Sequence, residues 1–122
     1  MSDERYQDLL QLVHNRAGDA FRIAVHYDAD EWTVLYARDD IATDALGDAL
    51  PTLVDRARAY EPIVATDIYD GVGDTQASVE LHAEAAVLIF HRGGESGVVV
   101  SLDRDVAQGL GKFVNSCNDV LD

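Results

Sequence analysis

Ala85-Ala86-Val87-Leu88-Ile89-Phe90-His91-Arg92 runs into Gly93-Gly94-Glu95-Ser96 and then into Gly97-Val98-Val99-Val100-Ser101-Leu102. Two short apolar runs joined by a glycine-bearing turn read as a β-hairpin. The first run is apolar almost without a break, as a central strand covered on both faces should be. Residues 77–82 precede it with Val79 and Leu81 on one face, so a third strand completes a meander.

On the C-terminal side, Asp103 is in position to cap a last helix. Its expected core face is Val106, Leu110, Phe113, Val114, Cys117 and Leu121. On the N-terminal side, residues 61–75 are Gly- and Asp-rich, with room for one short element around Ile63, Val64, Ile68 and Tyr69. Before them, residues 43–60 carry a helical stripe of Leu46, Ala49, Leu50, Leu53, Val54 and Ala57. Pro51 interrupts that stripe and predicts a kink or a split there.

Further back lie two alternating segments. Phe21, Ile23, Val25 and Tyr27 share one expected face of residues 21–27. Trp32, Val34 and Tyr36 share one face of residues 31–37. Asp28-Ala29-Asp30 turns between them, a second hairpin. The chain begins with a helix whose Tyr6, Leu9, Leu10 and Val13 fall on one side, capped at Ser2 or Asp3 and stopped at Gly18. The whole is predicted to be one α+β domain spanning residues 1–122. It is a five-stranded antiparallel sheet in the order 2-1-5-4-3, flanked by three helices, with elements in the sequence α-β-β-α-β-β-β-α.

That order, the Tyr27-Asp28-Ala29-Asp30-Glu31 turn and the Leu102-Asp103-Arg104-Asp105 entry to the last helix resemble the roadblock domain, a dynein-light-chain-like relative of the longin and profilin folds. The resemblance implies a homodimer formed through the third strand and the middle helix, with Leu46, Leu50, Leu53, Val79, Glu80 and Leu81 at the contact. It also implies service to a small GTPase-type partner. The stretch from Arg16-Ala17-Gly18-Asp19 to Tyr27-Asp28, and Leu35-Tyr36-Ala37-Arg38-Asp39-Asp40, are similar to a group of small haloarchaeal proteins of unknown function.

Charge points to the same habitat. The chain has 23 acidic and 9 basic residues, a formal net charge of -14. Seventeen of the acids are Asp, and Lys112 is the only lysine. Such a surface repels itself in dilute buffer. At about 1 M salt the Debye length falls to roughly 3 Å and the repulsion is screened. A halophile's cytoplasm is therefore expected. The same charge excludes phosphate-neutralising contact with nucleic acid, since the eight arginines are scattered among carboxylates. No apolar run approaches the roughly 18 residues that a membrane span needs. No secretory leader is evident either.

No residue pattern announces catalysis. His14, His26, His82 and His91 have no metal-ligand spacing, and Cys117 stands alone on an apolar stripe. Gly93-Gly94 and Gly71-Val72-Gly73 lack the Lys-Ser/Thr of a phosphate loop. Asp28, Asp30 and Glu31, like Asp103 and Asp105, are accounted for by a turn and a helix start. Arg38 beside Asp39 and Asp40 either closes a hairpin or pairs with an anion. The expectation is a non-enzymatic interaction and scaffolding module without cofactor or metal. The alternative is a regulatory domain that senses a small ligand in a pocket between sheet and helix.

Overall fold

The computed structural model describes residues 2–122, with side chains from Glu4 onward, so the cap expected at Ser2 or Asp3 lies outside the described residues. Three helices and five strands follow one another as α1 (Ser2–Ala17), β1 (Phe21–Tyr27), β2 (Trp32–Ala37), α2 (Asp44–Ala59), β3 (Ser78–Leu81), β4 (Ala85–His91), β5 (Gly97–Asp103) and α3 (Gln108–Leu121). All neighbouring strands are antiparallel, in the order β2-β1-β5-β4-β3. The fold is thus α+β, with the expected element order and strand order.

The 85–102 hairpin forms as read. Gly93 and Gly94 both take positive φ, which other residues resist, and so reverse the chain within the turn. At Gly97 a Cβ would sit 2.6 Å from both the Phe90 carbonyl and the Tyr27 hydroxyl. The bare backbone is what lets β5 pass so close under Tyr27.

The sheet has a core on each face. On one, Leu50, Val54 and Ala57 of α2 pack on Ile23, Val25, Tyr27, Ile89 and Val99. On the other, Tyr6, Leu9, Leu10 and Val13 of α1 cover Phe21, Ala24, Val98 and Val100. β1 and β5 supply both cores, which is why their sequences are apolar on both sides. Burying each such Leu or Val is worth about 1.5–3 kcal/mol.

The structure corrects several expectations about detail. Phe21 does not share a face with Ile23, because Arg22 is an extra residue opposite β5: Phe21 pairs with Leu102, Ile23 with Ser101. Tyr36 does not share a face with Val34, because Leu35 is likewise extra: Val34 pairs with Val25, Tyr36 with Ala24. Leu35 and Tyr36 therefore both turn to the α1 side, while Trp32 and Val34 stay partly exposed on the α2 side.

Of the kink or split expected at Pro51, the split does not occur: α2 runs unbroken from Asp44 to Ala59 with Pro51 inside it. Residues 61–75 form turns and no regular element, and leave Ile63, Ile68, Tyr69 and Val72 exposed. Last, Asp103 makes no capping hydrogen bond. A 3-10 turn takes Arg104–Ala107, and α3 starts only at Gln108. Val106, Leu110, Phe113 and Leu121, expected in the core, are exposed, Phe113 by 67%. The side of α3 turned toward the rest of the chain holds Gly111, Val114 and Cys117.

Candidate functional site

β3 pairs with β4 alone, so one row of its backbone donors and acceptors has no partner in the sheet. The strand is only Ser78-Val79-Glu80-Leu81, and Val79 is half exposed. Its register fixes the faces. Ser78 and Glu80 oppose Ile89 and Val87 on the α2 side, and Val79 and Leu81 oppose Leu88 and Ala86 on the α1 side.

α2 lies over the β1–β5 part of the sheet and stops short of the β3 edge. The uncovered strip is a groove of about 460 Å³, walled by Leu53, Arg56 and Tyr60 and floored by Glu80, Val87 and Ile89. Its ends are polar and ordered. The Tyr60 and His91 rings stack with centroids 5.7 Å apart, and His91 Nε2 lies 3.4 Å from Ser78 Oγ. At the other end His82 Nε2 meets Glu80 Oε1 at 3.0 Å.

Of the six residues expected at an interface, Leu53 and Glu80 line this groove and Val79 lies on the adjoining edge. Leu81 and Leu46 are half-buried, Leu46 against the α2-side core. Leu50 is only 4% exposed and belongs to that core, so it leaves the interface set. Tyr60, Val87 and Ile89 were not anticipated. Only the position of α2 over the sheet reveals them.

A second cavity, of about 490 Å³, opens on the α1 side between the start of α1 and the β4–β5 hairpin. Phe90 and Val98, directly paired across the two strands, form part of its lining with Tyr6 and Leu9. Arg5 and Arg92 also line it. The two lie far apart in the sequence, one at the start of α1 and the other just after β4, so no local pattern links them.

Arg38, the most suggestive single residue in the sequence, is fully engaged. Its guanidinium donates to Asp40 at 2.6 and 3.1 Å, to Asp103 at 2.9 and 3.2 Å, and to the Asp19 carbonyl at 2.6 Å. Arg22 adds a longer contact to Asp103 at 3.4 Å. The two strand irregularities at Arg22 and Leu35 lie at this end of the sheet. Arg38 holds the Asp40 and Asp103 carboxyls below their ordinary range. This cluster joins the ends of β2 and β5 and leaves Arg38 no free face for an anion.

The acidic turn is structural too. Asp28 accepts from the Asp30 and Glu31 amides at 2.9 and 2.8 Å, which lowers its pKa. Arg58 ties that turn to α2 by donating to the Asp28 carbonyl at 2.7 Å. Among the described residues no three His, Cys, Asp or Glu side chains are grouped to hold a metal ion. None of the helices described is long and apolar enough to cross a membrane.

An open antiparallel sheet with one helix on each central face and a bare edge strand defines the chain as a small α+β domain with surface left to offer. The model of the family described as Domain of unknown function (DUF7522) matches residues 7–122, and the chain belongs to that family. No match was found among the curated proteins or among the solved structures.

Proposed function

We propose that this domain is a non-enzymatic interaction module that pairs with a second copy of itself through β3 and the groove beside α2. The observation that carries the reading is the unguarded edge. β3 has no proline and no extra residue, and its one charged side chain is Glu80. Natural sheets block such edges or use them. A two-fold axis at β3 would pair the strand with its own copy antiparallel, a self-complementary contact. The same axis would bring the two α2 helices together over Leu53, Val87 and Ile89. Element order and strand order support the likeness to roadblock domains, and with it a protein partner of the small GTPase type for the dimer.

The charge of -14 supports work in the cytoplasm of a halophilic archaeon. Each copy then approaches the other with its repulsion screened. The melting temperature should rise from low salt to about 2 M KCl, where the Debye length is below roughly 3 Å. A flat or falling curve would remove the halophile reading.

Light scattering in the same buffer tests the contact. The unaltered chain should be a dimer, and both Val79→Pro and Leu53→Glu should be folded monomers by circular dichroism. A monomer at high concentration before any substitution overturns the proposal. So does a dimer that survives both changes and dissociates with Phe113→Asp, which would move the contact to α3.

A further inference from the structure

We propose that the cavity between the start of α1 and the β4–β5 hairpin binds a small amphiphilic anion, a carboxylate carrying an apolar tail. This inference stands apart from the dimer, since the cavity lies on the other face of the sheet from the α2 groove.

Size and lining come first. A volume of about 490 Å³ is ample for a small organic molecule. Phe90, Val98, Leu9 and the Tyr6 ring offer an apolar lining for a tail. That lining is held in place from below. Val98 is buried and paired with both Phe90 and His26. Tyr6 packs on the His26 ring with centroids 4.5 Å apart.

Charge then selects the head group. Two arginines line the cavity, Arg5 from the start of α1 and Arg92 from the turn after β4. Among the described residues neither forms an ion pair, although acids outnumber bases 23 to 9. Arg22, Arg38 and Arg58 meet carboxylates, while Arg16, Arg56 and Arg104, like Arg5 and Arg92, form no ion pair among the described residues. What sets Arg5 and Arg92 apart is that both line one cavity that has an apolar wall and, among the described residues, no acidic side chain, so this spot is positive on a chain of net charge -14. Arg5 lies over the Tyr6 ring, 5.4 Å from its centroid, so its guanidinium rests against the cavity wall. Ser96 adds a polar residue to the same lining. A carboxylate there would accept charge-assisted hydrogen bonds, while its tail leaves water.

The test is a titration with octanoate, followed by amide NMR shifts in 2 M KCl, with octanol as the neutral probe of equal tail length. Octanoate should give saturable shifts at Leu9, Phe90 and Val98 and none at Leu53 or Ile89. It should bind at least about tenfold more tightly than octanol, a difference of about 1.4 kcal/mol. The double variant Arg5→Gln, Arg92→Gln should lose that preference and bind both probes alike. Both arginines are exposed, so the fold should survive the change. Absence of saturable shifts, equal affinity for octanol, or an undiminished preference in the double variant would each overturn the proposal. Failure here leaves the β3 contact untouched, because that contact is read by light scattering without any ligand.

Discussion

α2 and α3 carry equally clear apolar stripes, yet only α2 buries its stripe. Leu50, Val54 and Ala57 are sealed against the sheet, whereas Leu110, Phe113 and Leu121 of α3 face outward and only Val114 and Cys117 turn partly inward. The difference lies in how each helix is fastened. Thr43 caps α2 through the Leu46 amide, and Arg58 ties its last turn to the β1–β2 turn, so its apolar side comes down on the sheet. α3 is fastened by Arg104, which donates to the His82 carbonyl at 2.8 Å, to the Gly111 carbonyl at 3.3 Å and to Asn115 Oδ1 at 2.9 Å. That arginine turns the Gly111 side of α3 inward. The 3-10 turn before it also changes the phase, since it advances three residues per turn where an α-helix advances 3.6. Apolar periodicity says that a helix has a stripe. Polar tethers at its ends decide where the stripe points.

The comparison breaks most visibly at Leu50. Leu50→Ala removes a core side chain from α2 and should cost about 2–5 kcal/mol in urea unfolding. A cost below about 1 kcal/mol would mean that α2 is no better seated than α3.

The joint between β5 and the turn to α3 comes next. Asp103→Asn weakens the contacts to Arg38 and Arg22 and should cost about 1–2 kcal/mol at neutral pH, since the cluster is partly solvated. The pH dependence has a definite sign. Asp103 is held below its ordinary value of 3.8, first by the Arg38 hydrogen bond. Its contribution is therefore full above that value and fades as pH falls through the lowered one. Asp103→Asn should lose that part of the acid sensitivity. Acid unfolding identical in both proteins would show that the cluster does not fasten this end of the sheet.

Arg104→Met sharpens the contrast from the other side. Loss of its hydrogen bonds should cost about 1 kcal/mol and speed amide exchange in α3 more than in α2. Equal acceleration in both helices would deny Arg104 its role as the tether. The smallest effect is expected at Phe113. Phe113→Ala should change stability by no more than about 0.5 kcal/mol in the monomer. A cost of several kcal/mol would put the ring back in a core.

The sequence was most legible where one rule acts alone. Alternation and turn chemistry located all five strands, and the doubly apolar β4 pointed to a place inside the sheet. Alternation failed where a strand gains a residue, at Arg22 and Leu35, because an extra residue leaves no mark in a pattern read without its partner strand. The candidate surfaces were half legible. Glu80 and Val79 follow from an edge strand, and Leu53 from a helix stripe. Tyr60, Val87 and Ile89 depend on how far α2 reaches across the sheet, a matter of packing. Arg5 and Arg92 come to line one cavity only because the start of the first helix lies beside the β4–β5 hairpin.

The extra residue in β2 bears on how the family can change its length. Val34 already pairs with Val25 and Tyr36 with Ala24, so Leu35 is the one residue of the strand that holds no place in the ladder. Loss of Thr33 or Val34 would send its neighbours to the wrong face, because side chains alternate with a period of two. Loss of Leu35 would leave every one of them where it is, at the expense of one leucine's packing. Related chains that are one residue shorter in β2 should therefore carry their gap at position 35 or its same-face neighbour 36, and the arginine that follows Ala37 should still reach the aspartate at the end of β5.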